Sequence, residues 1–188
     1  MRAGAAFFMA DPNTSRTVLE ADAIGRAWLR VAHEIAEAHA DGSAVMLVGI
    51  QRGGVPLTKL LGATLGELYG GAVAVGAVEP GLHRDDLSQR AMSELHPTEL
   101  PGDLADKVVV LVDDVLSTGR TVRASIDALM GFGRPRCIRL AVLIDRGHRE
   151  LPIRPDFVGK NLPTHPDDRV EVRFTNDGAP RTVEILSP

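Results

Sequence analysis

The stretch VVVLVDDVLSTGRT (108–121) sets two adjacent carboxylates, Asp113 and Asp114, at the end of a run of five apolar residues. Such a run indicates a strand that is buried on both faces of a sheet. The following segment, TVRASIDALMGFG (121–133), has the apolar spacing of an amphipathic helix. The turn 117–121 therefore joins a buried strand to a helix, as in a protein with a parallel sheet.

The rest of the chain extends this alternation of strands and helices. Over 21–41 the apolar residues recur every three or four positions, which predicts a helix that Gly42 ends. Further elements are predicted in chain order: a strand at 44–50, a helix at 55–70, and strands at 72–78 and 137–145. The segments 169–174 and 181–186 alternate like antiparallel edge strands. We predict an α/β fold with an open, mostly parallel sheet flanked by helices.

Residues 79–106 interrupt the pattern, because they combine mixed charge and three prolines with no clean period. A loop of that length inside a domain is typical of a functional lid. We therefore predict a flexible hood loop at about 79–106 within a single domain over 21–188. The first residues, 1–20, are predicted to form a flexible tail.

Composition narrows the class of protein. A chain of 188 residues has the size of one domain, and no apolar run approaches the roughly 20 residues of a membrane-spanning helix. The single cysteine, Cys137, excludes an internal disulfide framework and suits a reducing cytoplasm. The net charge of -4 argues against indiscriminate nucleic-acid binding, although it allows a local basic face. We expect a cytoplasmic protein without a membrane partner.

The strand-to-helix turn has the features of an anion site. Gly119 lets the backbone curl, so that successive N–H groups and the N-terminus of the next helix point to one place. The hydroxyls of Ser117, Thr118 and Thr121 can supplement these donors. The two carboxylates disfavour a second anion, and they can accept hydrogen bonds from the vicinal hydroxyls of a ribose. The turn therefore predicts a ribose 5-phosphate ligand, while Walker and dinucleotide-binding spacings are absent.

The whole run is similar to the phosphoribosyl pyrophosphate (PRPP) signature of type I phosphoribosyltransferases. The resemblance implies that Asp113 and Asp114 hold the ribose hydroxyls during catalysis and that the following turn binds the 5-phosphate. The turn consists of Val115, Leu116, Ser117, Thr118, Gly119, Arg120 and Thr121. The loop in GIQRGGVPL (49–57) would hold pyrophosphate through Gln51, Arg52, Gly53 and Gly54. Mg2+ is expected to arrive with PRPP, so no dedicated metal ligands are expected.

Three further segments resemble one branch of that family, the PyrR proteins: AIGRAWLRVAHEI (23–35), HRDDL (83–87) and most of 140–164. The resemblance implies the conversion of uracil and PRPP to UMP and pyrophosphate. Arg84 in the hood would then reach the pyrophosphate and act in catalysis. The candidates for binding the base are Phe157, Val158, Lys160, Arg169 and Val170, although Phe157 taken alone is better explained as a core residue.

PyrR proteins also bind the leader mRNA of pyrimidine operons in response to UMP or UTP. Between positions 134 and 160 this sequence has seven basic residues and three acidic ones, a local excess that suits phosphate groups. The resemblance implies an RNA surface and assembly as a homodimer or homotetramer. The candidate RNA-binding residues are Arg30, His33, Arg146, Arg149 and Lys160.

A hypoxanthine/guanine phosphoribosyltransferase without an RNA-binding role is the alternative, because PDFVG (155–159) also occurs in those enzymes. The third residue after their acid pair is typically an aspartate that manages the purine N7 proton. Ser117 stands at that position here and cannot serve as such an acid or base, which favours uracil. Ser117 also departs from the Phe or Tyr usual among PyrR proteins, and Arg52-Gly53 departs from their Thr-Arg.

Overall fold

The computed structural model describes residues 15–81 and 96–188, and strands and helices alternate along most of them. The helices are α1 (Ala21–Ala38), α2 (Gly54–Tyr69) and α3 (Arg120–Met130), with a 3-10 turn at Gly42–Ala44. The strands are β1 (Ser15–Glu20), β2 (Val45–Ile50), β3 (Ala74–Val78), β4 (Val108–Leu116), β5 (Cys137–Asp145), β6 (Phe157–Asn161), β7 (Arg169–Phe174) and β8 (Pro180–Leu186).

Five strands form a parallel sheet in the order β3-β2-β4-β5-β6, with β4 in the centre. The apolar run of β4 is buried because α1 and α2 cover one face of the sheet and α3 covers the other. Val112 of β4 pairs with Gly49 of β2 and with Ala141 of β5. The carboxyl ends of these strands therefore share one edge, and the predicted fold class is confirmed.

A second, antiparallel sheet has the order β1-β8-β7 and packs on the same core as α1 and α2. It confirms the antiparallel strands expected at 169–174 and 181–186, although β8 begins at Pro180. The predicted tail is wrong for residues 15–20, because Leu19 pairs with Val183 and packs against the core. Residues 1–14 lie outside the described part of the chain.

Two further elements differ from the sequence prediction. α1 ends at Ala38, three residues before the predicted end, where the His39 N–H still donates to the Ile35 carbonyl at 3.0 Å. β6 was not predicted as a strand, because FVGKN shows neither alternation nor a continuous apolar run. Its Phe157 and Gly159 are nevertheless buried, and the strand forms the edge of the parallel sheet.

The predicted hood loop is shorter than 79–106. Glu99 and Ala77 exchange two backbone hydrogen bonds of 2.8 and 2.9 Å, and the Leu104 side chain is fully buried in the core. Residues 99–106 therefore belong to the packed body of the protein. Residues 82–95, which include Arg84, lie outside the described part of the chain. Among the helices that are described, none has the length and apolar character needed to span a bilayer.

Candidate active site

The acid pair lies near the carboxyl end of β4, where the strand leaves the core. Asp113 is 7% exposed and Asp114 is half-buried. Asp113 Oδ1 accepts the N–H of Asp114 at 3.0 Å, and Asp114 Oδ1 accepts the N–H of Val115 at 2.8 Å. Burial raises the pKa of Asp114 because the charged carboxylate loses solvation. The strand thus ends in a pair of carboxyl groups that a hydroxylated ligand can approach.

The loop after β2 lies directly against this acid pair. A Cβ atom on Gly53 would stand 2.1 Å from Asp114 Oδ2, and one on Gly54 would stand 2.0 Å from the Val112 carbonyl oxygen. Only glycine fits at such distances. The Gln51–Arg52 peptide bond is cis, and Arg52 is exposed. Close approach at two glycines therefore brings the N-terminus of α2 beside the carboxylates.

The loop after β4 is held by hydrogen bonds to three of its consecutive carbonyl groups. All of the donors belong to the segment 146–151, which follows β5. The Arg146 N–H donates to the Leu116 oxygen at 3.1 Å, Arg149 Nη1 to the Ser117 oxygen at 2.9 Å, and the N–H groups of Glu150 and Leu151 to the Thr118 oxygen at 3.0 and 3.2 Å.

These bonds determine where the loop's N–H groups point. A trans peptide directs its C=O and N–H to opposite sides, and the peptides of 116–119 are trans, since the cis bond within the described residues is Gln51–Arg52. The N–H groups of Ser117, Thr118 and Gly119 therefore face away from the segment 146–151. Gly119 has φ +91°, which favours glycine, and it precedes the first residue of α3. Amides and a helix N-terminus together form an anion site.

Arg120 and Thr121 begin α3 beside this loop. Arg120 donates its N–H to Thr118 Oγ1 at 3.3 Å, and its Nε lies 2.6 Å from Glu150 Oε2. Both residues are half-buried, and the Thr121 carbonyl accepts the Ser125 hydroxyl at 2.9 Å. All the residues predicted for the 5-phosphate thus lie together at the end of β4.

The residues predicted to bind the base do not form one surface. Phe157 and Val170 are only 7% and 8% exposed and belong to the core, so neither side chain is available to a ligand. Val158 is half-buried, whereas Lys160 and Arg169 are exposed. A base contact by the Phe157 ring therefore does not fit the structure, because the ring packs in the core that includes α1 and α2.

Lys160 has a different position from Phe157 on the same strand. Phe157 pairs with Ala141 at the level of Val112, before the acid pair. Lys160 pairs with Ile144 and so lies near the carboxyl edge of the sheet. Of the base candidates on β6, Lys160 is the one whose side chain is exposed near the loops.

Three of the predicted RNA-binding residues make bonds within the chain. Arg30 Nη2 donates to the carbonyl groups of Val158 and Gly159 at 2.9 and 2.7 Å, which ties α1 to β6. Arg146 Nη2 donates to the His165 carbonyl at 3.0 Å. Arg149 bonds the loop after β4, so an RNA contact for its guanidinium does not fit this geometry.

His33 and Lys160 are the two predicted RNA-binding residues that are exposed and make no hydrogen bond or ion pair within residues 15–81 and 96–188. His33 lies on α1 and Lys160 on β6, and Arg30 links these two elements. Of the predicted RNA-binding residues, these two side chains therefore remain as candidates for an RNA contact. Arg30 holds the backbone of β6 against α1.

No group of three or more His, Cys, Asp or Glu residues that could hold a metal occurs in the described parts of the chain. The acid pair nevertheless supplies oxygen donors of the kind that Mg2+ prefers. Mg2+ usually completes its coordination with water and the phosphate groups of a substrate. The two carboxylates therefore fit a metal ion that is carried by a phosphorylated ligand.

Comparison with known proteins defines the class. Residues 15–175 match the family model described as the phosphoribosyl transferase domain. The chain therefore belongs to the phosphoribosyltransferase family, as the β4 signature predicted.

Two relatives show to which branch of the phosphoribosyltransferase family the chain belongs. The chain is 55% identical over 160 residues to the bifunctional protein PyrR of Roseiflexus sp., covering 85% of this chain and 87% of the relative. It is 49% identical over 173 residues to the bifunctional protein PyrR of Deinococcus radiodurans, covering 92% and 94%. Within its family, the chain belongs to the PyrR proteins, which confirms the predicted branch.

Solved structures agree on the fold. Trypanosoma cruzi hypoxanthine phosphoribosyltransferase in complex with the product IMP superimposes with a TM-score of 0.67 at 18% identity, covering 95% of this chain and 93% of that one. At this identity the similarity concerns the fold alone.

Sequence reasoning missed two features of the site. The contact between Gly53 and Asp114 was not predicted, although a Gly-Gly pair at a strand end is a signal for close backbone approach. The bond from Arg149 to the loop after β4 joins residues 32 positions apart. The sequence pattern contains no signal for it.

Proposed function

We propose that this chain transfers the phosphoribosyl group of PRPP to uracil, giving UMP and pyrophosphate. The observation that carries the proposal is the convergence of three features at one sheet edge. The acid pair lies on β4, the amides of 117–119 follow that strand, and the glycine loop after β2 abuts Asp114. These features suit the 5-phosphate, the ribose hydroxyls and the pyrophosphate of one PRPP molecule.

In the proposed reaction, uracil N1 forms a bond to ribose C1 as the bond from C1 to pyrophosphate breaks. The electron pair of the broken bond leaves with pyrophosphate, and the N1 proton is released. Asp113 and Asp114 would orient the ribose through its hydroxyls, and the amides after Arg52 would face the departing anion. Catalysis would rest on positioning and electrostatics, since the proposal assigns no nucleophilic side chain.

Mg2+ enters the proposal as part of the substrate. When bound to PRPP, it would reduce the negative charge that develops on the leaving pyrophosphate. Asp113 and Asp114 would be the residues that contact it, through their carboxylate oxygens. Arg84 is the proposed cation of the hood loop that would reach the pyrophosphate.

Uracil is proposed over a purine because of Ser117. Its carbonyl accepts the Arg149 bond, and its side chain is a hydroxyl, which has no carboxylate to take or return the N7 proton of a purine. The relatives at about 50% identity are PyrR proteins, whereas the similarity to hypoxanthine enzymes is at 18%. Of the exposed base candidates, Arg169 stays in the proposal for the base, whereas Lys160 is assigned to RNA binding.

The test offers labelled PRPP and Mg2+ with uracil, hypoxanthine and guanine in parallel reactions. We expect labelled UMP with uracil and at most traces of IMP or GMP. Faster formation of either purine nucleotide than of UMP would overturn the assignment of the base.

We further propose that UMP or UTP at this site controls binding of pyrimidine-operon leader RNA. The support is the name of the relatives, which are called bifunctional, and the exposure of His33 and Lys160 on elements joined by Arg30. We include assembly as a homodimer or homotetramer and a cytoplasmic location in the proposal. Sedimentation and fractionation test these last two points.

A gel-shift assay with the leader RNA, with and without UMP, tests the regulatory role. Lys160→Glu should weaken RNA binding while uracil conversion persists. Lys59→Glu on α2 is the matched control, since Lys59 is also exposed and makes no hydrogen bond or ion pair within the described residues. Equal RNA affinity of the two variants would remove Lys160 from the proposed surface.

A further inference from the structure

Arg149 makes four hydrogen bonds that connect three parts of the chain. Nη1 donates to the Ser117 and Gly147 carbonyls at 2.9 and 3.1 Å, and Nε donates to the Ile153 carbonyl at 2.9 Å. Nη2 lies 2.6 Å from Asp145 Oδ2 at the end of β5. The side chain is only 22% exposed, so the guanidinium contacts the protein more than the solvent.

We propose that Arg149 is a positioning residue for the loop that binds the 5′-phosphate. It acts through the peptide that joins Ser117 to Thr118. The guanidinium holds the Ser117 carbonyl toward the segment after β5, and the Thr118 N–H therefore points to the opposite side, where the anion would bind. This inference rests on the proposed function, because it assumes that the anion is the 5′-phosphate of PRPP or UMP.

The neighbouring peptides are held differently. The carbonyls of Leu116 and Thr118 accept backbone N–H groups of the segment 146–151, and these bonds are made whatever the side chains are. The Ser117 carbonyl accepts a side-chain donor, so its orientation depends on one residue. Without Arg149, the Ser117–Thr118 peptide loses its restraint while the peptides on either side keep theirs.

Arginine suits this position because its planar group presents five donors in a fixed geometry. Asp145 neutralises the charge and also accepts the Gly147 N–H at 3.0 Å, which fixes the turn that carries Arg149. The segment after β5 also packs directly against the loop after β4, since a Cβ on Gly119 would stand 3.4 Å from the Ile153 side chain. The guanidinium thus fixes the loop after β4 relative to the end of β5.

The experiment measures the affinity of the full-length chain for three ligands: PRPP, UMP and pyrophosphate, each with Mg2+. Arg149→Gln removes the guanidinium, and Arg154→Gln removes the same charge five residues away. Arg154 is exposed and has no hydrogen bond or ion pair within the described residues. Pyrophosphate serves as the internal control, because it lacks the 5′-phosphate and would bind at the glycine loop.

We expect Arg149→Gln to weaken UMP and PRPP about tenfold, the size expected for one bond from a charged donor, while pyrophosphate affinity is unchanged. Arg154→Gln should match the wild type for all three ligands. Arg149→Lys keeps the charge beside Asp145 but cannot reach all four acceptors, so it should lie between these two variants. That variant also serves if Arg149→Gln does not fold.

Two results would overturn the role of Arg149. UMP affinity of Arg149→Gln and Arg149→Lys equal to that of Arg154→Gln would show that the bond to Ser117 is not needed. An equal loss for pyrophosphate would indicate general damage to the site. If the wild type binds neither PRPP nor UMP, the proposed function itself fails, which is a distinct result.

Discussion

Two loops leave neighbouring strands at the same edge of the sheet, and they are held in place by different means. The loop after β2 is positioned by close approach, with Gly53 against Asp114 and Gly54 against the Val112 carbonyl. The loop after β4 is positioned by hydrogen bonds from a segment that begins about thirty residues further along the chain.

The two loops should therefore differ in the substitutions that they tolerate. A loop fitted by contact fails when a single carbon atom is added, because close-packed neighbours cannot move far. A loop held by several hydrogen bonds loses its restraints one at a time, and the remaining bonds preserve part of its shape. The acid pair lies between the two loops and depends on both.

The largest effect is expected from Gly53→Ala. The added Cβ would meet Asp114 Oδ2 at 2.1 Å and push the loop from the carboxylates. A displacement of the loop or of the Asp114 carboxylate by about 1 Å is expected to lower the transferase rate roughly 100-fold. Gly25→Ala on α1 is the control, because nothing lies within 4 Å of its Cβ position. Similar rates for the two variants would show that the loop is not held by contact.

Asp114→Asn should have a smaller effect, since it keeps one oxygen acceptor for the Val115 N–H and leaves both loops intact. The loss of a charged acceptor for a ribose hydroxyl predicts about a tenfold lower transferase rate. Steady-state kinetics with uracil, together with a folding check by circular dichroism, measures it. Wild-type turnover with intact PRPP affinity would contradict the role of Asp114.

The same variant tests the pKa of Asp114 in the absence of ligands. Burial raises that pKa above its usual 3.8, so the charged carboxylate destabilises the folded state at neutral pH. The destabilisation disappears as pH falls through the folded-state pKa and is absent below 3.8. Asp114→Asn should therefore raise the melting temperature at pH 7, with the difference shrinking as pH approaches 4. A difference that grows in acid would contradict this direction.

The smallest effect is expected at Lys160, which lies near the same edge without bonds to either loop within the described residues. Lys160→Glu should leave the transferase rate nearly unchanged. It should weaken leader-RNA binding and lower the slope of log affinity against log salt by about 1, as for one phosphate contact. A slope equal to that of Lys59→Glu would show that Lys160 makes no such contact.

Much of the fold was predictable because it depends on local patterns. The buried run of β4 and the periodicity of α1 predicted the parallel sheet and its flanking helices. β1 and β6 were missed, since the strand character of Ser15–Glu20 and Phe157–Asn161 depends on distant partners. Neither segment shows strict alternation or a continuous apolar run, unlike β3 and β7, which are equally short and were predicted.

The site was predictable to the extent that it is contiguous in the chain. The acid pair and the turn after it lie on one element, and the glycine loop follows an evident strand. The roles of the arginines were not predictable in the same way. Arg30 and Arg149 bond to carbonyl groups 128 or 129 and 32 positions away, and a basic residue in a sequence does not reveal whether its partner is external.

The most direct test of the account is uracil-dependent release of labelled pyrophosphate from PRPP in the presence of Mg2+. The wild-type chain is compared with the double variant Asp113→Asn, Asp114→Asn. We predict release by the wild type only when uracil is present, and near-complete loss of release in the double variant. Release that is independent of uracil, or equal rates for the two proteins, would contradict the assignment of this sheet edge as the PRPP site.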